Sequence, residues 1–274
     1  MIQALSRGVY YAATMILFGE AAFGVLLRAK LPVITPLRVW SLRWIALLSA
    51  LVSGCLWLGL AAAQMAGAMS GQILGETLTA TLFGELFLAR LAALLGMALL
   101  LLFWRDGKRM AVLAAIALTV PAATSHVALA SPAGFTLIGT ILDAMHLLTA
   151  GFWIGGLVVL VLLFRRKEPN MVLALSLFSD WAMIAVLILV MTGLIDAASI
   201  LLSGAGTPSL VYLAVLGAKL VLVAAMLWLA TANRFKWLPQ RREPLIERNT
   251  VREFVLGVVV VLLAGALGQL QPLV

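Results

Sequence analysis

Long runs of apolar residues, separated by short polar segments, fill most of the chain. An α-helix needs about 20 apolar residues to cross the hydrocarbon core of a bilayer, and eight runs reach roughly that length. They lie at residues 8–27, 39–64, 82–104, 110–129, 137–164, 172–202, 210–232 and 251–270. Strands of a membrane β-barrel would instead give shorter segments of alternating polarity. We therefore predict an all-α, polytopic integral membrane protein with eight transmembrane helices, forming a single membrane domain over residues 1–274.

The composition supports a membrane location. Apolar residues make up 64% of the chain and charged residues only 11%, whereas a soluble domain is about 45–50% apolar and about 25% charged. These values exclude a soluble globular domain and a disordered chain, and the single cysteine excludes an internal disulfide bond. Membrane lipid is therefore the first expected partner. No small-residue cleavage site follows the first apolar run, so we expect this run to be retained as a helix.

The basic residues are distributed unevenly among the loops. A net charge of +8 would suggest a nucleic-acid partner in a soluble protein, but here the basic residues lie between apolar runs. The loops after the first, third, fifth and seventh runs hold most of the 19 Lys and Arg residues, and the other loops hold none. Since basic loops stay in the cytoplasm, this alternation predicts both chain termini on the outer side and no nucleic-acid partner.

The two halves of the chain show a correspondence. Tyr10 stands nine residues before Gly19, and His146 stands nine residues before Gly155. A basic residue, Arg90 or Lys219, lies inside the third run of each half. This favours a parallel 4+4 repeat with halves at residues 1–130 and 137–274, related by an axis normal to the membrane. The alternative is a chance similarity between apolar helices.

Polar side chains inside the bilayer are costly, so each is a candidate for function. The acidic residues within the runs outnumber the basic ones, which predicts either protonation or a path for cations. The alternative for each acid is a position near a helix end, in the headgroup region. The residues assigned to a transport path or to proton coupling are Glu20, Glu85, Arg90, Asp196 and Lys219.

The candidate metal ligands gather toward the outer ends of the runs. The two histidines of the chain, His126 and His146, fall at this depth, and Asp143 shares a helix face with His146 at i, i+3 spacing. Imidazole together with thioether sulfur suits copper. The alternative is that both histidines only make hydrogen bonds between helices. The predicted metal-site residues are His126, His146, Asp143, Met65, Met69 and Met145.

The segment from Asp143 through His146 and Trp153 to Gly155 and Gly156 resembles the signature of the copper resistance protein D family, also called CopD or PcoD. Further pieces of the family pattern follow in order: Thr192, Gly193, Lys219, Asn233 and Glu253. The resemblance implies an eight-helix protein of the bacterial inner membrane with periplasmic termini. It implies transport of a copper ion from periplasm to cytoplasm, a small periplasmic copper carrier similar to CopC as partner, and the two histidines as leading ligands.

Some features depart from the family pattern. Leu213 stands where the family often has glycine, Asp196 stands where a neutral polar residue is common, and no outer loop holds a segment rich in Met and His. Two other functions remain open at this stage. One is a heme-binding redox protein with His126 and His146 as axial ligands, and the other is a scaffold that docks a copper carrier without transport. No nucleotide-binding motif is present, so we do not expect ATP to drive transport directly. We also expect that the protein is not an enzyme.

Overall fold

The computed structural model describes residues 1–34, 39–66, 70–104, 106–124, 136–201, 207 and 209–270, and this part of the chain is helical without strands. The first half contains α1 (Ile2–Lys30), α2 (Trp40–Ala66), α3 (Gly71–Ala80), α4 (Leu82–Phe103) and α5 (Gly107–Thr119), which continues as a 3₁₀ turn over Val120–Thr124. The second half contains α6 (Thr136–Arg165), α7 (Met171–Leu201), α8 (Leu210–Ala232), a π-helical turn (Asn233–Trp237) and α9 (Glu243–Leu267).

Seven of the described helices are long and apolar enough to cross a membrane: α1, α2, α4, α6, α7, α8 and α9. They coincide with seven of the eight predicted runs, so the all-helical, polytopic membrane architecture is confirmed.

The run predicted at residues 110–129 forms α5 and its 3₁₀ turn, which are 13 and 5 residues long. At 1.5 and 2.0 Å per residue, these span about 30 Å. Gly107 lies against Arg28 near the end of α1, and Ala122 lines the same cavity as Tyr11 near the start of α1. Residues 125–135 lie outside the described residues, and the eighth crossing stays a prediction, as do the orientation of the termini and the repeat.

Helix α3 was not foreseen in the sequence. It begins after Ser70, whose hydroxyl accepts a hydrogen bond from the Ile73 amide at 3.2 Å. A second cap follows at once, since the Thr81 hydroxyl accepts from the Gly84 amide at 3.0 Å and starts α4. These two caps make a tight corner between a short helix and a spanning helix.

Helix α1 is the central element, packed against α2, α5, α6 and α9. It runs parallel to α6, and the two backbones meet where Gly19 faces Gly151 and Gly155. A Cβ atom on Gly19 would come within 2.8 Å of the Gly155 Cα. Small residues at this crossing permit the close approach, which is a common basis of helix association in membranes.

The second half is more open. Helix α6 packs on α7 and α9, and α9 packs on α8, but α7 and α8 hardly touch each other. The space between them forms two cavities, one at each end of the helices. We call the end that carries Arg28, Arg165 and Arg234 the basic end, and the other the opposite end.

Candidate functional site

A cavity of about 230 Å³ lies at the opposite end, between α1, α6, α7, α8 and α9. We call it the His146 cavity. Its charged and polar lining residues are Arg7, Tyr11, Asp143, His146, Asp196, Tyr212 and Lys219. Four of the predicted site residues thus meet in one place, although they come from three different helices. Asp143 and His146 were assigned to the metal site, and Asp196 and Lys219 to the transport path.

His146 is held in a defined orientation by α7. Its Nδ1 lies 2.9 Å from the Thr192 hydroxyl, and that hydroxyl donates to the Ile188 carbonyl at 2.8 Å. A hydroxyl has one proton to give, so the network assigns the proton of the imidazole to Nδ1 and leaves the lone pair on Nε2. A metal ion would bind His146 through Nε2, because this nitrogen carries the free lone pair.

The neighbouring glycine makes room for this ring. A Cβ atom on Gly193 would lie 3.2 Å from the His146 Cε1. The Thr192-Gly193 pair therefore forms the seat of the histidine, with the hydroxyl fixing the ring and the glycine leaving it space. This gives a structural role to two motif positions that the sequence alone left without one.

The carboxyl groups of Asp143 and Asp196 contact each other in the cavity, and Lys219 is the electrostatic neighbour of both. One oxygen of Asp196, Oδ1, is buried without a hydrogen-bond partner among the described residues. Two adjacent carboxylates repel each other, and sharing a proton or holding a cation relieves this repulsion. This part of the cavity can therefore accept positive charge.

The thioether at the cavity comes from Met15 of α1, which the sequence analysis did not select. Met15 is 4% exposed and lines the cavity. The close crossing of α1 and α6 brings it there, since the Met15 Cα lies 3.5 Å from where a Cβ on Gly151 would stand. The cavity thus joins nitrogen, oxygen and sulfur donors, a set that copper accepts.

The other predicted metal-site residues are not at this cavity in the described part of the chain. Met145 is 39% exposed and does not line the cavity. Met65 lies in α2, but its side chain is outside the description, as are Met69 and His126 entirely. Within the described ranges, no three His, Cys, Asp or Glu side chains stand close enough to hold a metal ion together. The heme alternative needs His126, and nothing in the described part supports it.

Glu20 lies toward the basic end and forms an ion pair. Its two carboxylate oxygens accept from Arg43 at 2.7 and 3.0 Å, and Glu20 itself is 3% exposed. This bidentate pair joins α1 to α2. Glu85, in contrast, is exposed in the first turn of α4. Neither acid lines the His146 cavity.

Arg90 occupies an aromatic box in the first half. It is 2% exposed, and its guanidinium carbon lies 4.8–5.5 Å from the ring centres of Tyr10, Trp57, Phe83 and Phe87. Cation–π attraction of this kind stabilises a buried cation by roughly 2 kcal/mol or more when it is desolvated. Arg90 therefore ties α1, α2 and α4 together and does not reach the His146 cavity.

A second cavity, of about 140 Å³, lies at the basic end between α6, α7, α8 and α9. Three of the family motif positions meet there. The Asn233 amide donates to Glu253 Oε1 at 2.8 Å, and the Trp153 indole interacts with the same carboxyl group. Asn249, in turn, donates to the Asn233 side-chain oxygen at 3.0 Å. We call these four residues the Glu253 cluster.

Local backbone geometry and small residues position the Glu253 cluster. Asn233 opens the π-helical turn at the end of α8, a distortion that is frequent at functional sites. The remaining motif positions serve packing. A side chain on Gly155 would collide with the α1 backbone, and one on Gly156 would collide with the Phe178 ring.

Comparisons with known proteins identify the family of the chain. Residues 1–135 match the family model described as copper resistance protein D-like, N-terminal domain, and residues 172–267 match the model described as copper resistance protein D. Over 133 residues, 47% of this chain, the sequence is 31% identical to the copper transport protein CutJ of Bacillus subtilis (strain 168). The match spans only 24% of that relative, and no solved structure matches the chain. On these matches, the chain belongs to the copper resistance protein D family.

Proposed function

We propose that this protein transports copper across a membrane and that the copper ion binds first in the His146 cavity. The observation that carries the proposal is the meeting of an imidazole, two carboxyl groups and a thioether in one cavity of a membrane helix bundle. The family membership and the name of the CutJ relative support copper as the cargo.

The donor set explains how such a cavity selects its cargo. Imidazole nitrogen binds either oxidation state of copper, and thioether sulfur favours Cu(I). The His146 Nε2 and the Met15 sulfur would supply these ligands. Asp143 and Asp196 would supply negative charge, and Asp196 Oδ1 is free to act as a ligand. Because these donors are not yet gathered tightly, the cavity would close around the ion as it binds.

The charge of the loops supports one direction of transport. If the basic end faces the cytoplasm, the His146 cavity opens toward the periplasm of a bacterial inner membrane. Copper would then move from periplasm to cytoplasm, contributing to copper homeostasis or resistance. A small periplasmic carrier similar to CopC would deliver it, and the protein would act as a transporter and not as an enzyme.

A path between the two cavities would run along α6, α8 and α9. Between the cavities, a Cβ on Gly257 would lie 3.2 Å from the Met226 Cε and 3.4 Å from the Ile154 Cγ1. Met226 is 3% exposed, so these side chains close the path. Transport would require this constriction to open while the other end closes, as in alternating access.

Copper binding to the purified full-length chain tests the proposal. Copper and iron are counted per chain after equilibrium dialysis in detergent, for the wild type and for His146→Ala, Asp196→Asn and Met15→Leu. We expect the wild type to hold copper, His146→Ala to lose it, and the other two variants to bind more weakly. Met191→Leu is the control, since Met191 adjoins Thr192 but is 52% exposed.

Accumulation of radioactive copper by cells separates transport from docking. Cells that express the wild type should gain copper faster than cells that express His146→Ala at equal protein level. Equal binding and equal accumulation in both would refute the proposal. Copper binding without any accumulation would favour a docking scaffold instead.

A further inference from the structure

Glu253 is a buried acid whose charge is not balanced by a neighbour. It is 3% exposed, and the ion pairs among the described residues join other acids: Glu20 to Arg43, Asp106 to Arg109 and Asp180 to Arg234. An ionised carboxylate at such a place is costly unless a proton or another cation joins it. The copper site proposed in the His146 cavity does not use Glu253, which lies at the basic end of the same helices.

The charged groups that face Glu253 are engaged elsewhere. Arg234 lines the same cavity, but it donates to the Ser179 hydroxyl at 2.7 Å and to Asp180 of α7 at 2.9 Å. On α6 the facing group is the neutral indole of Trp153. On α1 the acid is Glu20, which is paired with Arg43. On α9 itself the neighbouring charged residue is Arg252, whose side chain is exposed.

We propose that Glu253 is a proton-binding site at the basic end, and that its proton is exchanged for copper bound in the His146 cavity. This inference rests on the proposed function. A hydronium ion in water that enters the basic-end cavity gives one proton to the carboxylate and becomes water, and the carboxylate becomes a carboxylic acid. One O–H bond breaks, one O–H bond forms, and no electron moves.

The hydrogen bonds of the cluster show how this proton would be sensed. A carboxylate accepts charge-assisted hydrogen bonds from both Asn233 and Trp153, whereas a carboxylic acid keeps acceptor oxygens but loses the negative charge that strengthens these bonds. Asn233 cannot turn its amide around, because its oxygen accepts from Asn249. Protonation therefore weakens the contact with Trp153.

Trp153 connects the cluster to the copper site through one helix. It stands seven residues after His146 on α6, which is two turns along the same helix face and about 10.5 Å along the axis. A change in the Trp153 contact therefore moves the helix that carries His146. Trp153 acts here as a positioning residue.

Proteoliposomes with an internal pH dye test the proposal. Copper added outside should move protons in the wild type, and Glu253→Gln should abolish this flux while copper binding in the His146 cavity persists. Glutamine keeps an oxygen that accepts from Asn233 but cannot take up a proton. Glu247→Gln is the matched control, because Glu247 lies on the same helix and is exposed.

A flux per copper in Glu253→Gln equal to that of the wild type would overturn the inference and leave the proposed function standing. Absence of copper binding by the wild type would instead overturn the proposed function. If Glu253→Gln fails to fold, Trp153→Phe provides the second test. One linked proton changes copper affinity by at most about tenfold per pH unit, and Trp153→Phe should flatten this dependence. An unchanged pH profile would count against the coupling.

Discussion

The crossing of α1 and α6 gives a prediction that can be worked out from distances. A Cβ atom on Gly19 would lie 2.8 Å from the Gly155 Cα, and closer still to the Gly151 carbonyl oxygen. Carbon atoms pack at about 3.5–4.0 Å, so Gly19→Ala must push the helices apart by roughly 1 Å. Overpacking costs about 1–3 kcal/mol. We expect about 3 kcal/mol, near the upper limit, because both contacts are backbone atoms that cannot rotate away.

Gly217→Ala is the matched control for this change. Gly217 also lies within a helix, α8, but a Cβ there would meet nothing within 4 Å. Alanine should therefore stabilise α8 by about 0.8–1 kcal/mol through helix propensity alone. Two identical substitutions are thus expected to change the free energy of unfolding in opposite directions.

Unfolding in mixed micelles of dodecyl maltoside and SDS, followed by tryptophan fluorescence, measures both effects. Gly19→Ala should unfold at a lower SDS fraction than the wild type, and Gly217→Ala at a higher one. The separation of the helices also draws Met15 away from His146, so Gly19→Ala should weaken copper binding. If Gly19→Ala proved as stable as the wild type, the close crossing on which the Met15 assignment depends would be wrong.

Three further predictions follow from contacts already described. Thr192→Val removes the hydroxyl that fixes the His146 tautomer, and dialysis should show copper affinity lowered by about 10- to 100-fold. Glu20→Gln leaves Arg43, whose side chain is 11% exposed, without its partner. It should cost about 3 kcal/mol in SDS unfolding, the lower end for a buried pair, and adding Arg43→Gln should restore part of the loss. At the start of α5, the backbone amides of Arg109 and Lys108 donate hydrogen bonds to the Asp106 carboxylate. These bonds lower the pKa of Asp106, and the bond from Arg109 has the larger effect. This cap is present above the ordinary pKa and is lost as pH falls through the lowered one. The hydrogen-exchange protection factors of these amides, relative to the unfolded chain at the same pH, should therefore fall in acid, but not in Asp106→Asn.

The sequence was sufficient to place the spanning helices, because length and hydropathy alone define a membrane span. The run predicted at 39–64, for example, is the helix Trp40–Ala66. Helix α3 was missed because its ten residues are too few for a span and mix polar with apolar side chains. Its signal was the capping residue Ser70.

The grouping of residues in the candidate site was predictable only where they share one helix. Asp143 and His146 are three residues apart, so their common face could be derived from helix geometry. The partner of His146 is Thr192, 46 residues away, and Met15 reaches the cavity through contact between two backbones. Such contacts depend on which helices pack together and at what depth, and apolar sequences carry little information about either.

Among the described residues, the basic residues of the two halves have different surroundings, since Lys219 lines a cavity and Arg90 does not. Tyr10 and His146 each stand nine residues before the glycine at the α1–α6 crossing, and each lies beside the basic residue of its half, Arg90 or Lys219. These relations are those a parallel repeat would produce, and the repeat stays a prediction. The first half fills the space around its basic residue with aromatic rings, whereas the second surrounds Lys219 with carboxyl groups and an imidazole. The aromatic box holds a fixed side-chain cation, whereas ionisable groups can take up and release protons or cations, so the second arrangement is the one that suits the transport proposed above.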